Sequence, residues 1–264
     1  MIDIKNLHVT FNPGDPLENR VLRGIDLTIP SGQFLTVIGG NGAGKSTLLN
    51  ALAGEAPVCH GSIAFDGQDV TSWTVARRAP WVARVFQNPT SGVCGELTVE
   101  ENLALAAARG QRRGLHTACS RSRLVAFQEC LARLGLGLEN RLTDRMSLLS
   151  GGQRQAVSLL MATLQPMKIL LLDEHTAALD PRMAAFVLEL TRNLVAEQRL
   201  TVLMVTHSLR QALDVGERTV MLNQGRIAFD IAGAERARLD IPDLLRLFET
   251  SQGEAVTDDE LLLG

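Results

Sequence analysis

The feature that most constrains this chain is a glycine-rich stretch at residues 39–47, which fits the pattern G-x-x-x-x-G-K-[S/T]. An apolar run precedes it and a run with helical spacing follows, so the context is strand, loop and helix. Glycines let backbone N–H groups turn toward a phosphate, and the helix N-terminus adds partial positive charge. The stretch predicts a nucleoside triphosphate site, in which Lys45 reaches the terminal phosphates and the Ser46 hydroxyl ligates Mg²⁺. The predicted phosphate-binding residues are Gly39, Gly40, Asn41, Gly42, Ala43, Gly44, Lys45, Ser46 and Thr47.

Two adjacent carboxylates predict the catalytic part of that site. Asp173 ends an apolar run and Glu174 follows it directly. A carboxylate at the end of a strand can complete the Mg²⁺ shell opposite Ser46, which is the Walker B role. The second carboxylate lies where it can orient or deprotonate an attacking water. The alternative is a solvated pair that ends a strand; the upstream glycine loop favours the catalytic interpretation.

A second anion-binding motif follows in residues 149–153, Leu-Ser-Gly-Gly-Gln, before a helix that we expect to begin near Arg154. Two glycines and a serine at a helix N-terminus can bind an anion. A chain with one nucleotide loop has no evident internal use for this motif. Two copies arranged head to tail do, because each would offer the motif to the γ-phosphate of the other across a self-complementary interface.

With these motifs in this order, residues 1–229 resemble the ATP-binding cassette (ABC) ATPases, in which residues 149–153 correspond to the signature motif that closes on ATP across a dimer. The resemblance implies three further roles: Gln87 as the Q-loop glutamine near Mg²⁺, His207 as the switch histidine on the γ-phosphate, and Phe11 as the aromatic residue stacked on adenine. It implies contacts to the ATP of a second copy from Ser150, Gly151, Gly152, Gln153 and the D-loop residue Asp180. It also implies Ser46, Gln87 and Asp173 as metal ligands, and Lys45, Glu174 and His207 as catalytic residues.

Each of these further roles has a simpler alternative. His207 could cap the next helix, Phe11 could be a core residue, and Gln87 could be a solvated loop side chain. The chain also departs from the family at His175, where a proline is usual. A histidine there permits more backbone freedom or adds a group that titrates near neutrality. Our hypothesis is that His175 helps to orient Glu174 or the D-loop.

Composition narrows the class of protein. The net charge of −3 over 264 residues argues against a general nucleic-acid binder. No apolar run approaches the roughly 18 residues of a membrane span, and Asp3 and Lys5 interrupt any apolar leader. The cysteines lack metal-ligand spacing, so we expect reduced thiols in a cytosolic protein. They are Cys59, Cys94, Cys119 and Cys130.

Apolar periodicity predicts an α/β fold, a P-loop NTPase core with an N-terminal antiparallel β layer and an inserted helical subdomain. Alternating runs at 1–10 and 21–29 predict the β layer, and continuous apolar runs at 168–173 and 200–206 predict buried parallel strands. We expect one ABC ATPase domain at 1–249, with its catalytic core at about 1–89 and 150–249 and helices at 99–108 and 124–136 in a subdomain at about 90–149. An acidic tail at 250–264 should be loosely held. The arginines between the two helices favour a solvated face: Arg109, Arg112, Arg113, Arg121 and Arg123.

The resemblance implies an ATP-hydrolysing subunit that uses ATP and Mg²⁺, forms a homodimer on ATP and drives a separate membrane permease. We expect a cytoplasmic location on the inner face of the plasma membrane, an extracytoplasmic solute-binding protein in the same system, and no nucleic acid. Residues 141–148 lack the acidic insertion typical of exporters, which favours an importer. Residues 173–181 resemble a branch of importers associated with amino-acid-like ligands. The alternatives are an exporter ATPase, a soluble ABC ATPase and a phosphate-loop kinase.

Overall fold

The computed structural model describes residues 1–111 and 120–252. Their contacts divide the chain into two compact units, one formed by residues 1–78 together with the chain from residue 199 onward, and the other by residues 79–198. The predictions for Arg112, Arg113, Cys119 and most of the acidic tail lie outside the described residues. The predicted boundaries of the helical subdomain stay a prediction.

The described residues form strands and helices in the order of an α/β protein, as predicted. The strands are β1 (Ile2–Phe11), β2 (Asn19–Ile29), β3 (Phe34–Ile38), β4 (Val58–Phe65), β5 (Gln68–Asp69), β6 (Val82–Val85), β7 (Ile169–Asp173), β8 (Val202–Val205), β9 (Arg218–Asn223) and β10 (Arg226–Ala232). The helices are α1 (Lys45–Ala53), α2 (Val75–Arg78), α3 (Val99–Ala107), α4 (Arg121–Ala132), α5 (Gly151–Thr163), α6 (Pro181–Gln198), α7 (Leu209–Val215), α8 (Gly233–Arg236) and α9 (Ile241–Gln252).

The first unit contains an antiparallel layer of four strands in the order β2-β1-β4-β5. Alternation along β1 buries Ile2, Ile4, Leu7 and Val9, each at most 2% exposed. This is the antiparallel layer that the alternating sequence predicts.

The first unit also holds the strand that leads into the glycine loop. In the order β10-β9-β3-β8, strand β3 lies parallel to both β8 and β9. All five residues of β3 are buried, which explains why its sequence is a continuous run without polar alternation. Because β3 and β8 are parallel neighbours, the segments that follow them leave the sheet at the same edge.

The second unit pairs β6 with β7 in parallel and packs α3, α4, α5 and α6 around an apolar core. Leu103 of α3, Leu131 of α4 and Val157 of α5 are fully buried in this core. Helix α4 occupies Arg121–Ala132, whereas the spacing predicts 124–136. The helix ends earlier because Gly135 (φ 65°) and Gly137 (φ 70°) turn the chain, although Leu134 still packs into the core.

In the part of the chain that the structure describes, no helix has the length and apolar character needed to cross a membrane.

Candidate nucleotide-binding site

The glycine loop between β3 and α1 has a backbone that only glycine fits at two positions. Gly39 has φ 150°, and a Cβ there would lie 2.3 Å from the carbonyl oxygen of Leu222. Gly44, the N-cap of α1, has φ 102°, and its Cβ would lie 2.8 Å from Leu22 Cδ2. Gly39 and Gly44, the two fixed glycines of the motif, are therefore required by the local packing as well as by the approach of a phosphate.

Lys45 is the first residue of α1 and its ammonium lies within the glycine loop. Its Nζ donates hydrogen bonds to the carbonyl oxygens of Gly39 at 2.7 Å and Gly40 at 3.1 Å, and the side chain is buried. Ser46, in the first turn of α1, is exposed to solvent. The loop thus combines a fixed positive charge, a helix N-terminus and an accessible hydroxyl, which is the chemistry that a triphosphate requires.

Both remaining first-unit candidates lie at strand ends. His207 follows β8, and the N–H of its neighbour Thr206 donates to the carbonyl oxygen of Val37 in β3 at 3.2 Å. The histidine therefore leaves the same sheet edge as the glycine loop. Ser208, not His207, caps α7 through its hydroxyl, which accepts from the Gln211 N–H at 3.2 Å. The N-cap of α7 is thus Ser208, and the role of His207 stays a prediction. Phe11 ends β1 and is half-buried.

In the second unit, the predicted catalytic carboxylates lie beside the predicted Q-loop residue. Asp173 ends β7, where its Oδ2 accepts from an Arg84 guanidinium nitrogen at 2.6 Å. Gln87 follows β6, and its amide Nε2 donates to Glu174 Oε2 at 3.1 Å. Since β6 and β7 are parallel, Gln87, Asp173 and Glu174 meet at one edge. This contact gives Gln87 a defined partner.

His175 is buried in the second unit, at 1% exposed. Its ring Nε2 lies 3.0 Å from Thr191 Oγ1 in α6. Burial lowers the pKa of His175 from 6.5 to about 4. The interpretation of this histidine as a group that titrates near neutrality is therefore wrong, because the ring is neutral there.

The signature motif forms the start of α5. The Ser150 hydroxyl accepts from the Gln153 N–H at 3.2 Å, while the Gln153 amide oxygen accepts from the Ser150 N–H at 3.1 Å. This capping box makes α5 begin at Gly151, three residues before the predicted start at Arg154. Ser150 itself is exposed.

The signature motif and the D-loop both contact one residue, Met183. A Cβ on Gly152 would lie 2.5 Å from Met183 Cε and 2.9 Å from Met183 Cγ, so α5 and α6 pack closely at this glycine. Asp180 Oδ1 accepts from the Met183 N–H at 3.1 Å and so caps α6. The structure thus places Asp180 near the signature motif within this unit.

Gln155 belongs to the site region but is not predicted by the sequence. It lies on α5, is fully buried, and its Nε2 donates to the Phe86 carbonyl oxygen at 3.0 Å. The contact ties the signature helix to the residue before Gln87. A glutamine among the mostly apolar buried residues of α5 is the signal of this contact in the sequence.

The predicted metal ligands fit Mg²⁺ in their chemistry. The Ser46 hydroxyl, the Gln87 amide and the Asp173 carboxylate supply oxygen atoms, which Mg²⁺ prefers, and Mg²⁺ commonly takes one or two carboxylates together with substrate phosphates. Within residues 1–111 and 120–252 no group of three or more His, Cys, Asp or Glu side chains is placed to hold a metal by itself. The cation already paired with Asp173 is the guanidinium of Arg84.

Glycine loop, buried lysine and strand-end carboxylates together define a phosphate-loop nucleotide-binding protein. A family model described as ABC transporter matches residues 22–177. The chain is 41% identical to the tyrosine transport ATP-binding protein of Clostridioides difficile, over 94% of this chain and 99% of that protein. It is 37% identical to the thiamine import ATP-binding protein ThiQ of Escherichia coli, over 77% of this chain and 82% of that protein.

A solved structure of the dimeric ATP-binding cassette MJ0796 with bound ADP and phosphate is also similar. It has a TM-score of 0.75 and 28% sequence identity, over 88% of this chain and 98% of that one. The chain belongs to the ABC transporter family, and it is an ATP-hydrolysing, ATP-binding subunit of that family. The resemblance stated from the sequence is confirmed.

Proposed function

We propose that two copies of this chain close head to tail on ATP and drive a separate membrane permease, which imports a small, amino-acid-like solute. The observation that supports the dimer is the exposed N-terminus of α5. Ser150 and Gly151 offer an anion-binding helix N-terminus, although the chain already has a phosphate loop of its own. The likeness to a dimeric cassette supports the same arrangement.

Each predicted site residue has a task in this proposal. Lys45 and the backbone N–H groups of residues 39–47 hold the β- and γ-phosphates, and Phe11 stacks on the adenine. Mg²⁺, when bound by Ser46, Gln87 and Asp173, supplies charge neutralisation on the phosphate oxygens.

Hydrolysis then depends on two further side chains. Glu174 accepts a proton from the attacking water, and His207 holds the γ-phosphate. Gln87, whose amide donates to the Glu174 carboxylate, orients it. Across the dimer, the second copy contributes Ser150, Gly151, Gly152, Gln153 and Asp180.

The membrane partner and the direction of transport rest on the relatives. Those proteins are named as ATP-binding proteins for tyrosine transport and thiamine import, and the second name supports import. We infer a position at the cytoplasmic face of the plasma membrane and a solute-binding protein outside it. Co-purification with a polytopic membrane protein tests this; association with ribosomes or nucleic acid instead would favour a soluble ABC ATPase.

The decisive experiment on the site uses Glu174→Gln. We expect turnover to fall by about 100-fold or more because the general base is lost, while Mg·ATP binding persists. With hydrolysis blocked, the variant should accumulate as a dimer in sedimentation velocity with Mg·ATP. Lys45→Ala is the matched control, which should lose most of its ATP affinity and stay monomeric. Near-normal turnover of Glu174→Gln would refute the base, and a strictly monomeric Glu174→Gln would refute the dimer.

A further inference from the structure

The backbone that carries Glu174 has an unusual conformation. Glu174 has φ 45°, in the left-handed region that residues other than glycine seldom adopt. Such a conformation persists only where the surroundings over-determine it. The Ala177 N–H donates to the Glu174 carbonyl oxygen at 2.9 Å, which closes a turn after the carboxylate. The side chain of the next residue, His175, further constrains this segment.

The hydrogen bond between His175 and Thr191 has a defined direction. Thr191 is fully buried in α6, and its hydroxyl donates its single proton to the Val187 carbonyl oxygen at 2.8 Å. At the 3.0 Å contact, Thr191 Oγ1 therefore accepts from the N–H of His175 Nε2. Through this bond the residue after Glu174 is anchored to an 18-residue helix.

We propose that His175 is a positioning residue for Glu174, and that its hydrogen bond to Thr191 holds the left-handed turn that aims the carboxylate. The inference rests on the proposed role of Glu174 as general base. Gln87 holds the carboxylate from one side, and His175 fixes the backbone behind it. Where the family usually has proline, a ring restrains the chain covalently; here a buried hydrogen bond replaces that restraint. A histidine that only fills volume would not need its donor.

Variants that remove or restore the hydrogen bond test the proposal in the full-length chain. His175→Met and Thr191→Val remove the donor and the acceptor, whereas His175→Gln and Thr191→Ser keep one. We expect the first two to lower kcat by about tenfold, with the Kd for ATP changed by less than about twofold, because only the aim of the base is lost. The double variant should be no slower than either single variant, since both break one bond. His175→Gln and Thr191→Ser should recover most of the rate.

Thr163→Val is the matched control. Thr163 is another buried threonine of the same unit, and its hydroxyl donates to the Leu159 and Leu160 carbonyl oxygens of its own helix, at 3.2 and 3.0 Å. This variant loses a buried hydroxyl without touching the segment of Glu174, so its kcat should stay within about twofold of the parent. Urea midpoints verify that each variant is folded at the assay temperature; if His175→Met is not, Thr191→Val carries the test.

A second background separates this inference from the proposed function. If His175 acts through the Glu174 carboxylate, Thr191→Val should have no further effect on the residual rate of Glu174→Gln. A slow Glu174→Gln combined with a normal rate for both His175→Met and Thr191→Val overturns the positioning role alone. Effects that multiply in the double variant, or that persist in the Glu174→Gln background, overturn it as well. A normal rate for Glu174→Gln overturns both proposals.

Discussion

Arg78, a residue outside the motifs, joins two elements of the first unit through buried hydrogen bonds. It is 1% exposed, and its guanidinium donates to four carbonyl oxygens. Those of Ala51 and Leu52, at 2.6 and 2.8 Å, belong to the last turn of α1; those of Val70 and Thr71, at 2.6 and 2.9 Å, follow β5. Desolvation by burial lowers the pKa of Arg78, and nearby Asp69 opposes this effect. The residue therefore caps the phosphate-loop helix and joins it to the strand layer.

Replacing Arg78 by methionine should lower the free energy of unfolding by about 3–5 kcal/mol, because four buried carbonyl groups lose a charged donor. Urea denaturation followed by circular dichroism measures this. Arg77→Met is the control: Arg77 is exposed, and its guanidinium lies 4.0 Å from the Trp73 ring centroid. That contact contributes about 1 kcal/mol or less. Equal losses in the two variants would contradict the capping role.

The sequence predicts residues whose chemistry is tied to a spacing, and not those that depend on distant partners. Lys45 and Glu174 stand in a motif or at the end of an apolar run, so their positions follow from the chain alone. Arg78, Gln155 and Thr191 bind atoms of segments that come close only on folding, most of them backbone carbonyls that carry no sequence signal. Residue type gives the opposite expectation for Arg78, since arginine is mostly exposed.

Among the elements, the β9–β10 hairpin turn supports the glycine loop. The Gly225 N–H donates to the Ala43 carbonyl oxygen at 3.1 Å, and the Gly225 carbonyl oxygen accepts from the Arg23 N–H at 2.8 Å. A Cβ on Gly225 would lie 2.0 Å from the Val21 carbonyl oxygen. The turn thus packs between the loop and β2, and a side chain at residue 225 would have to displace it.

Gly225→Ala should weaken ATP binding by about tenfold without touching the nucleotide, because the displaced turn distorts the loop at Ala43. Gly67→Ala is the control, since Gly67 has φ 80° against 76° for Gly225 but open space around its Cβ. The control should lose only about 1 kcal/mol of stability from backbone strain, with ATP affinity unchanged. Calorimetric titration with Mg·ATP distinguishes the two. Equal ATP affinities of the two variants would show that the turn does not fix the conformation of the glycine loop.

Long or strongly periodic elements are the ones that the sequence predicts. Strands β3, β7 and β8 are continuous apolar runs because they are buried, and α3 is predicted to within one residue, at 99–108 against Val99–Ala107. Helices α2 and α8 span four residues each, which is too short for a helical period to appear. The early start of α5 depends on a cap, and a cap is decided by one hydroxyl and not by a pattern.

For the molecule as a whole, buried His175 makes stability depend on pH. Its pKa is about 4 in the folded chain and 6.5 by its ordinary value. Between those values the unfolded chain binds more protons than the folded chain, so unfolding becomes easier as pH falls. The contribution of the neutral ring to the free energy of unfolding is complete above about pH 6.5 and is lost progressively as the pH falls toward about 4.

Acidification from about pH 7.5 to about pH 5 should therefore lower the free energy of unfolding by about 2 kcal/mol through His175 alone. Urea titrations of the nucleotide-free protein at a series of pH values measure the slope. His175→Gln shares every other titrating group and lacks this one, so the difference between the two slopes isolates the histidine. If the free energy of unfolding had the same pH dependence in both proteins, the His175 ring would be hydrated in the folded state.

The capping box at the start of α5 has a consequence for assembly. As a cap, the Ser150 oxygen uses a lone pair to accept from its own helix, which leaves its proton available to donate. In the dimer proposed above, Ser150 would therefore cap its own helix through its oxygen and bind the second copy's phosphate through its proton, so that the two roles do not compete. Threonine would preserve both poles. Aspartate, an equally good N-cap, would keep the helix intact but repel the triphosphate of a second copy, so the proposed dimer predicts a folded subunit that does not dimerise on ATP.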